Sequence, residues 1–340
     1  MVIALDAMGG DFAPYEIIKG AVECAKEFKI KTILVGKSEQ IKEELKKYDY
    51  PQDLIEIHHA SQVIEMKEHP AFAVREKEDS SIVVSIKLLR DKKVDAVVSA
   101  GNTGAVMSSA LLYLGRISGI KRPAIATIIP TLSGKPSLLL DIGANVDCKK
   151  EYLEQFAIMG KVYMEEVFNI LSPRIGLLNI GEEEGKGNIL SQETYALLKS
   201  NPLLNFVGNV EGKDLFNSLA DVIVCDGFVG NVCIKTAEGV ADALFTLLSS
   251  ELKSSLWSKI LAGMLIPKFR NVKKKLDYSE YGGAPLLGVN GIVIISHGRS
   301  KAKAIKNAIK LAQQVKNQNL VEKIKSGISL IRREENEREI

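Results

Sequence analysis

The sequence predicts an α/β fold, a doubly wound and mostly parallel sheet with helices on both faces. Short runs of Val, Ile and Leu alternate with longer amphipathic stretches along all 340 residues. Parallel strands covered on both faces by crossover helices have this pattern. Most of the short apolar runs also end at Gly or Asp, which are residues that terminate strands. The alternating pattern and the strand ends therefore both predict an α/β fold.

The individual strands are predicted where an apolar run is short and rich in β-branched residues. In chain order they are Val2 to Leu5, Thr32 to Val35, Val94 to Ser99, Ala124 to Ile129, Ser137 to Leu140, Ile175 to Asn179, Phe206 to Val207, Asp221 to Cys225 and Ile292 to Ser296. Apolar residues at a spacing of 3.6 predict a first helix after Pro14 and further helices near 149–168, 191–199, 230–252 and 300–315.

The chain has no internal repeat and no low-complexity linker. With 46% of its residues hydrophobic, it can bury a large core. We therefore expect one two-lobed α/β catalytic domain over residues 1–318. Residues 319–340 are predicted to form a charged helix or tail.

Composition excludes several classes of protein. The balance of 45 basic against 42 acidic residues lacks the strong excess of a dedicated nucleic-acid binder. Four scattered cysteines indicate neither a disulfide framework nor a zinc site, as in a reducing cytoplasm. The chain starts without a signal-peptide pattern, and no apolar run reaches the roughly 20 residues that span a bilayer. We expect a cytoplasmic protein that binds no nucleic acid.

One segment, residues 254–276, combines an apolar helical spacing with positive charge. The residues predicted to contact a membrane or a partner are Trp257, Lys259, Leu261, Leu265, Lys268 and Arg270. A basic helix with an apolar face can lie on an anionic membrane or dock onto an acidic protein. It can equally pack on the body of the protein or on a dimer partner, and periodicity does not distinguish these possibilities.

Five loops follow predicted strands, and in open α/β sheets ligands bind at the carboxyl ends of strands. We therefore expect these loops to line one cleft. The first contains Asp6, Gly9, Gly10 and Asp11, and the second contains Gly101, Asn102, Thr103 and Gly104. Adjacent glycines before a helix favour an anion such as phosphate. Asn102 or Thr103 would serve equally well as a helix cap.

The other three loops add polar side chains. They contribute Asp141 and Asn145, then Gly181, Glu183, Lys186 and Asn188, and finally Asp226, Gly227 and Asn231. Lys186 lies between glycines and could neutralise a phosphate or an oxyanion, whereas Glu182 and Glu184 are interpreted as surface charge. Without clustered His or spaced carboxylates, no metal site is expected. His297 follows the last strand, where a histidine is more often structural than catalytic.

Together these residues resemble the bacterial phosphate acyltransferase (PlsX) family. The resemblance begins at Ile3 to Asp11 and continues through further blocks in the same order. These are Ser99 to Gly104, Leu140 to Asn145, Leu177 to Asn188, Phe206 to Gly212 with Asn209, Val224 to Asn231, and Tyr281 to Gly298. Gly185 and Lys213 depart from the family pattern. The similarity covers essentially the whole chain.

The resemblance implies a fold related to isocitrate and isopropylmalate dehydrogenases and to phosphotransacetylase. It also implies an enzyme that needs no cofactor and makes acyl phosphate from acyl carrier protein and inorganic phosphate for phospholipid synthesis. A homodimer working at the inner face of the cell membrane, with a membrane glycerol-phosphate acyltransferase as partner, follows from the same likeness. On this basis the catalytic residues are predicted to be Lys186, Asp226, Asn231 and Asn188, with the other loop residues, Asn209 and His297 binding substrate.

Two alternative functions remain at this stage. One is a phosphotransacetylase-like or dehydrogenase-like enzyme of the related fold, although the chain has no Gly-x-Gly-x-x-Gly fingerprint. The other is a non-catalytic membrane adaptor for lipid enzymes that uses residues 254–276. An adaptor has no need for several polar loops at strand ends.

Overall fold

The computed structural model describes residues 1–252 and 282–338. Its strands form one sheet with the order β3-β2-β1-β4-β11-β10-β5-β6-β9-β7-β8. The strands are β1 (Val2–Asp6), β2 (Lys31–Gly36), β3 (Ile55–His59), β4 (Ala96–Ser99), β5 (Ala124–Pro130), β6 (Pro136–Leu140), β7 (Arg174–Asn179), β8 (Asn205–Glu211), β9 (Val222–Val224), β10 (Ala284–Leu287) and β11 (Ile292–Ile295).

Helices connect most of these strands. They are α1 (Tyr15–Phe28), α2 (Ser38–Leu45), α3 (Pro70–Glu76), α4 (Ser81–Arg90), α5 (Thr103–Tyr113), α6 (Lys150–Phe168), α7 (Ile189–Ser200), α8 (Gly227–Leu252), α9 (Ala302–Asn317) and α10 (Leu320–Arg338). Two short 3-10 turns lie at Gln52–Leu54 and Gly212–Asp214.

Two groups of parallel strands run in opposite directions within the sheet. The first half contains β3, β2, β1, β4 and β11, which are mutually parallel. The second half contains β6, β9, β7 and β8, also mutually parallel. Strands β10 and β5 join the halves through antiparallel pairings. Each half therefore has its own carboxyl edge, where its loops leave the sheet.

Apolar side chains cover both faces of the sheet. In β1, Ile3 and Leu5 belong to the largest buried cluster, while Ala4 lies in a second cluster on the other face. This alternation follows from the two-residue period of a strand. Helices α1, α6, α9 and α10 pack into the larger cluster, and α4 and α5 pack into the second. The predicted doubly wound α/β class is confirmed.

Several elements differ from the sequence predictions. Strand β3 was missed because it lies at the edge of the sheet, where His58 and His59 are exposed. Strand β10 was also missed, and its antiparallel direction departs from the parallel pattern. Residues 319–340 were predicted to be a charged helix or tail. Helix α10 lies there, and its Leu320 and Ile324 are buried in the main core. The segment 254–276 lies outside the described residues.

Candidate active site

A buried carboxylate joins the ends of β1 and β4. Asp6 is 0% exposed and accepts a 2.6 Å hydrogen bond from Ser99 Oγ and one of 3.1 Å from Met8 N. Ser99 Oγ in turn accepts from Gly101 N at 3.0 Å. Burial raises the pKa of Asp6, although the hydrogen bonds from Ser99 and Met8 oppose this rise. Asp6 therefore shapes the loops rather than facing a ligand.

The two glycine loops of this first half touch through their backbones. A Cβ placed on Gly9 would come within 2.7 Å of Gly101 N, so only glycine allows this approach. Gly10 has a φ of +103°, a conformation that side chains disfavour. Asp11 N donates a 2.8 Å hydrogen bond to Gly298 O. The loops after β1, β4 and β11 thus form one corner, which we call the glycine corner (residues 9–11, 99–101 and 296–298).

Asn102 is a helix cap and an anchor. Its Oδ1 accepts a 3.0 Å hydrogen bond from Ala105 N at the start of α5. Its Nδ2 donates to Glu65 O, Met66 O and Glu68 O at 3.1 to 3.3 Å. Because the side chain is 6% exposed and fully occupied, its observed contacts fit the capping interpretation. Thr103 is exposed at the first residue of α5.

The loop after β6 is organised by Asp141, which is 0% exposed. Its Oδ1 accepts from the backbone N of Ile125, Gly143 and Ala144 at 3.0 to 3.2 Å. Its Oδ2 accepts from Asn145 N at 2.7 Å and from Asn145 Nδ2 at 2.9 Å. Burial raises the pKa of Asp141, and hydrogen bonds from Ala144 and Asn145 partly offset this effect. Asp141 holds the loop in place.

Helix α8 begins on top of that loop. Asp226 Oδ1 accepts a 2.9 Å hydrogen bond from Val229 N, the bond of an N-cap. Gly227 N donates to Asn145 O at 2.7 Å, and Asn231 Nδ2 donates to Ile142 O at 3.0 Å. At Gly230 a Cβ would overlap the backbone oxygen of Asp141. Capping therefore explains the carboxylate of Asp226 at the tip of β9.

Helix α8 also reaches the glycine corner of the other half. Lys235 Nζ lies 3.2 Å from Nε2 of His297, and Lys235 also pairs with Glu238 at 2.8 Å. His297 Nδ1 accepts from Arg299 N at 3.1 Å. Burial, followed by the charge of Lys235, lowers the pKa of His297. Sequence reasoning did not select Lys235 as a site residue, since only its position two turns into α8 brings it to this corner.

The loop after β7, residues 179–188, is more exposed than the others. Asn179 Nδ2 donates to Lys186 O at 3.1 Å, and Asn209 Nδ2 donates to Glu183 O at 2.9 Å. Asn188 caps α7 by accepting from Ser191 N at 2.9 Å. The side chain of Lys186 covers Gly181 and is exposed to solvent.

Two of the glutamates around Lys186 lie close to other lysines. Glu184 pairs with Lys199 at 2.8 Å, and Glu182 lies 3.9 Å from Lys213. In the part of the chain that the structure describes, no carboxylate forms an ion pair with Lys186. Lys186 therefore keeps its charge available to an anion.

Three carboxylates meet beside this loop, a cluster that sequence reasoning missed because Glu182 is distant in sequence from Glu211 and Asp214. Oxygens of Glu182, Glu211 and Asp214 lie within 4.8 Å of one another. Lys213 contacts both Glu211 and Glu182 and neutralises part of this charge.

The structure thus brings four of the five predicted loops together through direct contacts. The loops after β1, β4, β6 and β9 are connected by their own hydrogen bonds and by α8. Loop 179–188 follows β7, which pairs with β9, so it leaves the sheet beside Asp226. The predicted contact residues Trp257, Lys259, Leu261, Leu265, Lys268 and Arg270 lie outside the described residues.

Known proteins resemble this chain over nearly its whole length. A family model described as "Fatty acid synthesis protein" matches residues 1–323. A phosphate acyltransferase from Dictyoglomus turgidum is 73% identical over 331 residues, which are 97% of this chain and 98% of that protein. The chain belongs to this family of phosphate acyltransferases. Another member, from Pelotomaculum thermopropionicum, is 53% identical over 97% of this chain and 96% of its own length. The chain is accordingly an acyltransferase.

Solved structures of the same fold are more distant in sequence. A phosphotransacetylase from Streptococcus pyogenes matches with a TM-score of 0.61 at 18% identity, over 93% of this chain and 94% of that one. A 4-hydroxythreonine-4-phosphate dehydrogenase from Klebsiella pneumoniae matches with a TM-score of 0.53 at 13% identity, over 93% and 99%. The family fold is therefore shared with phosphotransacetylases and with a group of dehydrogenases. Within residues 1–252 and 282–338, no helix has the length and apolarity to cross a membrane.

Proposed function

We propose that the protein transfers a fatty acyl group from acyl carrier protein to inorganic phosphate and so makes acyl phosphate for phospholipid synthesis. The observation that carries this proposal is the contact between Lys235 and His297 at the glycine corner. It combines a cationic side chain with backbone that approaches closely at Gly9 and Gly101. Such an arrangement suits a small, doubly charged anion.

In this proposal phosphate binds at the glycine corner. Backbone amides of the Gly9–Gly10 and Gly101–Gly104 loops donate to its oxygens, and Lys235 balances its charge. The start of α8 fixes the position of Lys235 at the corner, since Asp226 caps the helix and Gly227 and Asn231 tie it to the Asp141 loop. Asp226 and Asn231 thus orient the phosphate through the helix that they position.

The chemical step is a direct attack. A phosphate oxygen forms a bond to the thioester carbonyl carbon, and the carbonyl oxygen takes up negative charge in the tetrahedral intermediate. The carbon–sulfur bond then breaks, and the phosphopantetheine thiolate leaves and takes a proton. Orientation of the two substrates and stabilisation of the oxyanion account for the catalysis. No enzyme nucleophile takes part.

Lys186 is proposed to stabilise the oxyanion of that intermediate. Its support is the exposed ammonium, which has no carboxylate partner among the described residues, on a loop that leaves the sheet beside Asp226. Asn188 helps indirectly, because its cap on α7 fixes the end of the same loop.

Purified protein with palmitoyl acyl carrier protein and phosphate, without added metal or nicotinamide, tests the proposal. Free carrier and hydroxylamine-trappable acyl phosphate should form in equal amounts, and only when phosphate is present. If neither product forms with folded protein, the proposed function is wrong. Product formed only from acetyl coenzyme A would instead indicate a phosphotransacetylase.

Replacing Lys186 tests its role within the same assay. Lys186→Ala should lower kcat by about 10²- to 10³-fold, the usual effect of removing one oxyanion-stabilising group. Lys199→Ala is the matched control, because Lys199 lies on the same edge but is paired with Glu184. Full activity of Lys186→Ala would remove Lys186 from the mechanism.

The homodimer and the membrane surface belong to the same proposal. Helix α8 exposes apolar side chains along its length, including Leu244 and Leu247, which is 62% exposed. We assign this surface to a second copy of the chain, because burying it from water is favourable. The basic segment 254–276 is assigned to the membrane where acyl phosphate is used. The double variant Leu261→Glu, Leu265→Glu should then sediment less with anionic vesicles. Unchanged sedimentation would mean that these leucines do not contact the membrane.

A further inference from the structure

A basic cavity lies outside the glycine corner and outside loop 179–188. It has a volume of about 430 Å³. Three of the residues that line it are cationic and three are uncharged. They are Arg116, Lys121, Arg122, Leu111, Pro123 and Tyr152.

The backbone that carries the three cations is fixed to helix α6. Lys121 N donates a 2.8 Å hydrogen bond to Gln155 Oε1, and Gln155 Nε2 donates a 2.9 Å bond to Gly119 O. Arg116 Nη1 donates to Lys121 O. The positive side chains therefore start from a well-anchored loop, which reduces the entropy lost when they bind a ligand.

Carboxylates of the described residues do not neutralise the positive charge of this cavity. Among the residues that the structure describes, Arg116, Lys121 and Arg122 form no ion pair with a carboxylate. Three like charges around a concave surface raise the local concentration of anions. An anionic group, and phosphate in particular, is the ligand that arginine and lysine together recognise.

The cavity adjoins the candidate active site. Pro123, in its wall, accepts a 2.7 Å hydrogen bond from Asn145 Nδ2 through its backbone oxygen. Asn145 O accepts from Gly227 N at 2.7 Å, the residue that follows Asp226. Two hydrogen bonds thus connect the cavity wall to the start of α8. A ligand held in this cavity would therefore lie beside the loop that positions α8.

We propose that this cavity binds the phosphate of the phosphopantetheine arm that carries the acyl thioester. The inference rests on the proposed function, because it concerns the donor of that reaction. The arm has an anionic phosphate at one end, the thioester at the other and uncharged groups between them. Arg116, Lys121 and Arg122 match the phosphate, while Leu111, Pro123 and Tyr152 match the uncharged arm.

The test compares an octanoyl thioester of phosphopantetheine with the same thioester of pantetheine, which lacks the phosphate. In the double variant Lys121→Gln, Arg122→Gln, kcat/KM for the phosphopantetheine donor should fall about 10- to 100-fold, as expected for lost charge-assisted hydrogen bonds. The pantetheine donor should be unaffected. The double variant Lys26→Gln, Lys29→Gln, with both lysines exposed on or after α1, is the matched control.

Octanoyl coenzyme A and octanoyl acyl carrier protein both carry the phosphopantetheine arm, one on a small molecule and the other on a protein. Comparing them separates recognition of the arm from recognition of the carrier protein. Both should lose activity by a similar factor if the cavity binds the phosphate. Loss with the carrier protein alone would overturn the proposal in favour of a protein–protein surface. Equal loss with pantetheine, or no loss with any donor, would also overturn it.

If the proposed function is wrong, the wild-type protein will make no acyl phosphate from any donor. In that case calorimetry measures the binding of unacylated phosphopantetheine and pantetheine and so tests the cavity by itself. Tighter binding of phosphopantetheine, abolished in the Lys121→Gln, Arg122→Gln variant, would support the cavity, and equal binding of the two would refute it.

Discussion

The loops after β6 and β7 leave the same edge of the sheet but use their charged residues in opposite ways. In the first, Asp141 is buried and receives five hydrogen bonds from the protein. In the second, Lys186 is exposed and has no carboxylate partner in the described parts of the chain. A charge at a strand end can therefore build the site or bind its ligand. Burial decides between the two roles.

The largest effect that tests this comparison is expected at Asp141. Asp141→Ala leaves several buried donors without an acceptor, so the free energy of unfolding should fall by about 3 kcal/mol or more. Urea denaturation measures this change. Asp147→Ala removes an exposed carboxylate from the same segment and should change stability by less than about 0.5 kcal/mol. Equal stability of the two variants would show that the buried carboxylate of Asp141 does not hold its loop in place.

Asp226 should give an intermediate effect. Asp226→Ala removes the N-cap of α8 and should lower the free energy of unfolding by about 1 kcal/mol, whereas Asp226→Asn should restore it, since Asn and Asp cap equally well. Acyl phosphate formation by Asp226→Asn then separates the two roles. Activity restored together with stability supports a positioning role, and restored stability with lost activity would require the carboxylate itself.

The smallest effect concerns the titration of His297. Burial and the charge of Lys235 lower its pKa, so the folded protein binds fewer protons than the unfolded chain below about pH 6.5. This contribution to stability is therefore lost as the pH falls through 6.5 toward the folded pKa. Lys235→Gln should raise the pKa of His297 and so narrow the pH range between its pKa values in the folded and unfolded states.

Imidazole resonances followed by NMR over a pH titration would measure this shift, with Lys26→Gln as the control. Phosphate bound at the glycine corner should also raise the pKa of His297 in the unmodified protein, because an anion stabilises the imidazolium. A pKa that phosphate leaves unchanged would place the phosphate elsewhere.

The sequence predicted most of the fold because burial on both faces produces long apolar runs. The strands Val2–Asp6 and Ile292–Ile295 are apolar except for the terminal Asp6, and the helical spacing after Pro14 identifies α1. Strand Ile55–His59 was missed because an edge strand needs few apolar residues, and its burial is mixed. Antiparallel strand Ala284–Leu287 is short and follows glycines, which is typical of a loop.

The sequence located the loops at the strand ends, but the contacts within them depend on the fold, and the roles of the individual site residues stay predictions. Glycine and strand ends identified the loops, because those signals are local. The contact of Lys235 with His297 joins residues 62 positions apart, and Glu182 meets Glu211 and Asp214 from a different part of the sequence. Neither could be read from local spacing. The buried state of Asp6 and Asp141 likewise depends on neighbours that only the fold supplies.

Helix α8 sets a constraint on how this chain can change in length. Its first turn is fixed to the loop after β6, and Lys235 meets His297 two turns later. Deleting one residue between Asn231 and Lys235 would rotate Lys235 by about 100° around the helix axis and withdraw it by about 1.5 Å. Between Gly227 and Lys235, insertions and deletions would therefore separate the two halves of the site, and Gly230 leaves no room for a side chain.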